Sequence, residues 1–303
     1  MEEKIILQNI CKNYGKKQAL KNVSLTIEQG MFGLLGRNGA GKTTLMKVIA
    51  ALLPANGGTA QICGVPVERR TEIREMIGYL PQDFSMYGNM SVQEAMDYLG
   101  VLSGLDKKTR RQRIPELLER VNLQANHAMK VKAMSGGMKR RLGIAQAILH
   151  NPKVLIVDEP TAGLDPEERV RFRNLLCDLA EERIVILSTH IVGDIEATCE
   201  NIAVMKDGEI VYHGTVTDLL KRAEGKLYTA EVSKIELKEM KERYLLTGML
   251  TKGSTTQVRF ISAEKERVPS GAALAEPNVE DAYMYLMGGM AEAEHEDGKR
   301  GGK

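Results

Sequence analysis

Gly36-Arg37-Asn38-Gly39-Ala40-Gly41-Lys42-Thr43-Thr44 decides how this chain is read. The spacing Gly36-x-x-x-x-Gly41-Lys42-Thr43 is that of a phosphate loop. Glycines let backbone N–H groups turn inward and approach an anion closely. Residues 31–35 form a short apolar run of strand length in front of the loop. Residues 44–53 behind it follow a helical pattern that stops before Pro54. A helix opening on the loop points its positive end at the same anion. Lys42 then has the reach for β- and γ-phosphates, and the Thr43 hydroxyl suits Mg2+.

Further along, residues 134–141 read MSGGMKRR, a second glycine turn in front of a helical pattern. Met138, Leu142, Ala145 and Leu149 recur there at helical spacing. Residues 154–157 are a continuous apolar run, followed by Asp158, Glu159 and Pro160. Two carboxylates therefore stand side by side at the end of a buried strand. Asp158 sits where a phosphate-loop nucleotidase places a Mg2+ carboxylate. Two readings are open for Glu159. It polarises an attacking water as general base, or it caps a turn or pairs with a surface cation. Asp165 then caps a helix with Pro166 at its first position. Residues 184–187 predict another buried strand, with His190 just past its end.

The rest of the pattern agrees with an α/β fold. Val23, Leu25 and Ile27 alternate with polar residues, as in a half-buried strand. Residues 61–67 and 77–80 are strand-like, and Pro81 and Gln82 follow the second of these. From 83 to 150 the character is helical, with Ser91 and Glu94 forming a capping box before 95–102 and a charged helix over 108–121. Asp207-Gly208 is a hairpin turn between 202–205 and 209–212. Strands separated by helices predict a largely parallel sheet covered on both faces. A boundary is expected near 221–226. Beyond it, strand-like 226–232, 245–249 and 257–261 and helical 235–243 and 277–287 predict a small α+β appendage. Residues 288–303 are Gly-rich and mixed in charge, as in a disordered tail.

Bulk properties exclude several classes. Net charge is +2, which makes no electrostatic case for nucleic acid. Trp is absent, so stacking platforms for single strands are few. The four cysteines form no CxxC pair and read as buried small hydrophobes in a reducing cytosol. The start, MEEKIILQNI, has no apolar signal core. The apolar stretch 48–55 is far short of a membrane span.

The order Gly36…Lys42, Gln82, Ser135-Gly136-Gly137, Asp158-Glu159, Asp165, His190 resembles that of an ATP-binding cassette (ABC) nucleotide-binding domain. The resemblance covers roughly the first 220 residues. It implies a P-loop NTPase with a RecA-like core sheet, a β subdomain and an ABC helical subdomain over about 83–150, together residues 1–222. It implies ATP bound by Tyr14, by the loop Gly36, Arg37, Asn38, Gly39, Ala40, Gly41, Lys42, Thr43 and Thr44, and by Gln82. Mg2+ would be held by Thr43, Gln82 and Asp158. Catalysis would fall to Glu159, His190 and Lys42. Ser135, Gly136 and Gly137 would cap the γ-phosphate held by a second copy, and Asp165 would run across that interface.

The resemblance also has departures and open points. Tyr14 stacks on adenine in this family, or is a packed strand-end tyrosine. Met138 replaces the usual Gln of the SGG turn, and Arg37 replaces a frequent Pro. Arg37 adds charge near the phosphates or faces solvent. Lys139, Arg140 and Arg141 read as the solvated first turn of a helix.

The function implied is the ATP-hydrolysing subunit of a membrane transporter, with a separately encoded transmembrane permease and a second ATPase copy as partners. Its place would be the inner face of the cell membrane. The run Glu276 to Tyr283, EPNVEDAY, resembles the LEDAY-like element of ABC-2-type exporters. The alternative is a soluble ABC ATPase acting on ribosomes or another non-transport target. Two cassettes or a long inserted coiled coil would favour it, and neither is visible.

Overall fold

The computed structural model describes residues 3–262 and 268–288. Of the expected tail, only Gly288 falls within the described residues. The chain forms two compact units, Met1–His213 and Gly214–Lys303.

The first unit begins with strands β1 (Lys4–Tyr14), β2 (Lys17–Glu28) and β3 (Gly30–Gly36), then helix α1 (Lys42–Ile49). Strands β4 (Gly57–Ile62) and β5 (Val65–Pro66), helix α2 (Arg70–Met76) and strand β6 (Ile77–Leu80) follow. Helices α3 (Val92–Leu102), α4 (Lys107–Arg120) and α5 (Gly136–Ala147) come next. The unit is completed by β7 (Val154–Asp158), α6 (Pro166–Ala180), β8 (Ile184–Thr189), α7 (Val192–Thr198), β9 (Asn201–Lys206) and β10 (Glu209–Thr215).

Six strands form a sheet in the order β10-β9-β3-β8-β7-β6, parallel from β9 through β6. Side chains alternate between its faces. Phe32, Leu34, Val154, Ile156, Ile184 and Ile186 point one way, into a core shared with α1 and the antiparallel sheet β2-β1-β4-β5. Helices α6 and α7 pack on the other face, against β3 and β8. The approach of α7 depends on Gly33, where an added Cβ would lie 2.5 Å from Ile195 Cδ1. All five residues of β7 are buried, as expected for a central parallel strand.

Local chemistry explains where sequence and structure differ. Helix α1 ends at Ile49, four residues before the expected end. Ala51 adopts φ +53, and the Ala51 and Leu52 N–H groups return to the Val48 and Lys47 carbonyls. This left-handed cap stops the helix without help from Pro54. The strand expected over 61–67 is the end of one strand and the start of another. Cys63 (φ +50) and Gly64 (φ +81) form a two-residue hairpin turn between them. Strand β1 had no sequence assignment, because Asn9 (φ +51) sits in a bulge that breaks the alternation between Leu7 and Ile10. Cys63 and Cys199 are buried as expected, but Cys11 and Cys177 are only half-buried.

In the helical region the Ser91–Glu94 capping box is present, and Asp106 caps α4. Arg113 bonds the Leu149 and Ile148 carbonyls, fastening α4 to the end of α5. The expectation of a solvated basic turn fails for Arg141. It is buried and donates to the Val121 and Asn122 carbonyls. Its Nε lies 3.4 Å from Glu168 Oε2 on α6.

The second unit contains α8 (Val216–Ala223), β11 (Leu227–Val232), α9 (Lys234–Arg243), β12 (Leu245–Lys252), β13 (Thr255–Ile261), β14 (Ala273–Leu274) and α10 (Val279–Met287). Its strands form an antiparallel sheet, β12-β13-β11-β14, over a small core of Tyr228, Val232, Met240, Val258 and Phe260. Asp281 of the run 276–283 is buried. It accepts from Arg259 at 2.6 Å and from the Asn278 N–H at 3.0 Å, closing a capping box on α10.

Candidate active site

The phosphate loop joins β3 to α1, where the order of the parallel sheet places a crevice at the strand ends. Gly39 (φ +84) and Gly41 (φ +110) hold left-handed conformations. Gly41 is the N-cap of α1 and offers no side chain, so the first N–H groups of the helix keep their capacity for an anion. A cleft of about 310 Å3 opens here. Tyr14, Asn38, Gly39, Gly41, Lys42, Thr43, Thr44, Gln82 and Glu159 line it. Tyr14, at the end of β1, is 49% exposed, so the packed-tyrosine reading does not hold. Arg37 is exposed and outside the lining, as in the solvent-facing reading. Lys17 and Ala19 also line the cleft and had no sequence assignment. Lys17 pairs with Tyr14 across the Gly15 turn, a consequence of the hairpin that the sequence pattern did not reveal.

Lys42 is buried. Its Nζ donates to the Gly36 carbonyl at 2.7 Å and the Arg37 carbonyl at 3.3 Å. It also stands 3.1 Å from Glu159 Oε1. That contact is an ion pair by distance but lies outside hydrogen-bond geometry. The other Glu159 oxygen is 2.6 Å from His190 Nδ1. Glu159 is itself buried, and the cation it meets is buried Lys42 rather than a surface one. Its backbone is left-handed (φ +48), and its N–H donates to the Ser188 carbonyl at 3.0 Å.

Asp158 ends β7 and is fully buried. Oδ1 accepts from the Ser188 hydroxyl at 2.7 Å, while Oδ2 has no hydrogen-bond partner. A buried carboxylate oxygen without a donor suits a cation. Thr43 and Gln82, on the cleft wall, supply the neutral oxygens a hard cation takes. Burial, and next the Asp158 charge, push the Tyr79 phenol up from its ordinary value.

Residues 135–137 and Asp165 do not line this cleft. Ser135 and Gly136 are exposed at the start of α5, and the Ser135 hydroxyl accepts from the Met138 N–H at 3.2 Å. The cap uses the Met138 backbone, so it does not require the side chain of the usual Gln. Asp165 is exposed and caps α6 through the Glu168 N–H at 2.9 Å. Among the described residues, no cluster of three or more His, Cys, Asp or Glu could hold a metal, and no helix is long and apolar enough to cross a membrane.

A family model described as ABC transporter matches residues 20–162. The chain is 39% identical over 227 residues to the uncharacterized ABC transporter ATP-binding protein YxlF of Bacillus subtilis, covering 75% of this chain and 76% of that one. It is 31% identical over 295 residues to Nod factor export ATP-binding protein I of Cupriavidus metallidurans, covering 93% and 96%. The solved dimer of the cassette MJ0796 in a post-hydrolysis state with ADP and Pi matches with TM-score 0.63 and 27% identity, over 70% of this chain and 98% of that one. With a phosphate loop and Glu159 on one cleft, and Asp158 and His190 adjoining Glu159, the chain belongs to the ABC transporter ATP-binding proteins and is an ATP-hydrolysing subunit of that class.

Proposed function

We propose that this subunit drives an ABC-2-type exporter through a separately encoded permease, as a homodimer that closes on ATP. The observation carrying the export reading is the likeness to a Nod factor export protein along 93% of the chain, the second unit included. Asp281 in the run 276–283 is buried in that unit and bonded to Arg259, so the run has a structural task there.

Each chain presents half of a site. The cleft supplies Tyr14 for the adenine and the loop 36–44 for the phosphates. The turn 135–137, exposed at Ser135 and Gly136, stands apart from it with N–H groups opening α5, suited to the γ-phosphate held by a second copy. Asp165 then runs along the interface. ATP shifts the dimer towards closure because it binds that state better. Thr43, Gln82 and Asp158 would hold Mg2+, which neutralises phosphate charge when bound. Lys42 stabilises the phosphoryl oxygens, Glu159 aligns and deprotonates water, and His190 holds Glu159 and reaches the γ-phosphate.

The test is co-purification of the full chain from detergent-solubilised membranes. Recovery with a multi-span membrane protein and ATP-dependent release of cargo from vesicles are expected. Recovery with ribosomes and no membrane protein would overturn the transport reading.

A further inference from the structure

Asp194 has no solvent exposure and lies outside the cleft. It sits on α7, four residues beyond His190. Its Oδ2 accepts from the Thr161 hydroxyl at 2.5 Å. Its Oδ1 has no hydrogen bond. Arg173 Nη1 at 3.7 Å and Arg169 Nε at 3.9 Å, both from α6, supply charge at distances beyond hydrogen bonding. A buried carboxylate is costly unless paired, and this one is paired by two cations and held by one hydroxyl.

The partner decides what the bond does. Thr161 follows Glu159 by two residues, and α7 starts two residues after His190. The Thr161–Asp194 bond therefore spans the same two segments as the Glu159–His190 bond. A third tie, Ser188 to Asp158, lies at the strand ends. Glu159 lines the cleft, and the His190 side chain it meets is 42% exposed. The Thr161–Asp194 contact is fully enclosed. Helix α7 is also fixed at its start, where the Thr189 hydroxyl accepts from the Ile191 N–H at 2.9 Å, and by packing on α6, β3 and β8. Its N-cap, Ile191, offers no side-chain bond. Arg173 donates to the Gly193 carbonyl at 3.1 Å, and Ile195 packs on Gly33.

We propose that Asp194 is a positioning residue for hydrolysis, holding α7 through the Thr161 hydroxyl so that His190 keeps its distance from Glu159 when nucleotide enters. This rests on the reading of His190 given above. The enclosed bond is insulated from the nucleotide, so it persists while the exposed one rearranges.

The experiment compares steady-state ATPase kinetics and thermal melting of the purified full chain. Thr161→Val is expected to lower kcat about tenfold or more with KM within about twofold, the size of loss that small misplacement of a reacting group produces. Thr161→Ser is expected to restore kcat to within about twofold. Asp194→Asn keeps an oxygen that accepts from Thr161, so its kcat stays within about threefold even where its melting temperature falls. In a His190→Ala background, Thr161→Val costs no more than about twofold further. Loss of kcat that tracks melting temperature across the variants would make the bond structural and overturn the inference. Slow His190→Ala with near-normal Thr161→Val would overturn this inference alone. Near-normal His190→Ala would bring down the reading of His190 and this inference with it.

Discussion

Glu159 and His190 stand 2.6 Å apart, oxygen to Nδ1, while the other Glu159 oxygen faces buried Lys42. One carboxylate thus joins the phosphate loop to the segment after β8. The group proposed to activate water is held between a cation and an imidazole.

Glu159→Gln is expected to bind ATP yet turn over at least roughly a hundredfold slower, within the range for loss of a general base. Steady-state ATPase alongside equilibrium ATP binding checks it. Turnover near that of the parent would remove Glu159 from the chemistry.

Lys42→Met removes the buried ammonium and leaves Glu159 without its cation. Charged hydrogen bonds contribute about 1.5–3 kcal/mol, so ATP affinity is expected to fall about ten- to a hundredfold. Titration with a fluorescent ATP analogue measures it.

Ser135→Arg places a long cation at the exposed start of α5. In a Glu159→Gln background, ATP-driven dimerisation is expected to vanish in size-exclusion chromatography while ATP binding by the monomer persists. Dimer formation at the parental ATP concentration would contradict the shared site.

Asp281→Ala removes a buried carboxylate that pairs with half-exposed Arg259 and closes the α10 capping box. Losing such a charged hydrogen bond costs about 1.5–3 kcal/mol. The unit beginning at Gly214 is expected to melt earlier by calorimetry, with ATP binding unchanged.

Gly78→Ala would set a Cβ 2.1 Å from the Ala147 carbonyl oxygen. Backbone must move to admit it, and a loss of about 1–3 kcal/mol in chemical denaturation is expected.

Legibility followed how local each feature is. The phosphate loop and Asp158-Glu159 were readable because their chemistry lies in contiguous residues between a strand and a turn. The family resemblance grouped Lys42, Glu159 and His190, but their direct contacts were not readable, since the sheet brings three distant segments together. Strand β1 escaped because the Asn9 bulge shifts its alternation. The turn at Cys63-Gly64 escaped because cysteine is no signal for a left-handed turn position. Arg141 looked solvated because nothing near it in sequence announces Glu168 of α6.

The left-handed backbone of Glu159 has a cost that glycine would not bear, roughly 1–2 kcal/mol. Glu159→Gly would relieve that strain but remove the carboxylate. At this position, then, the fold gives up conformational ease for reactivity. A screen for thermostability alone would tend to select against the carboxylate proposed to activate water.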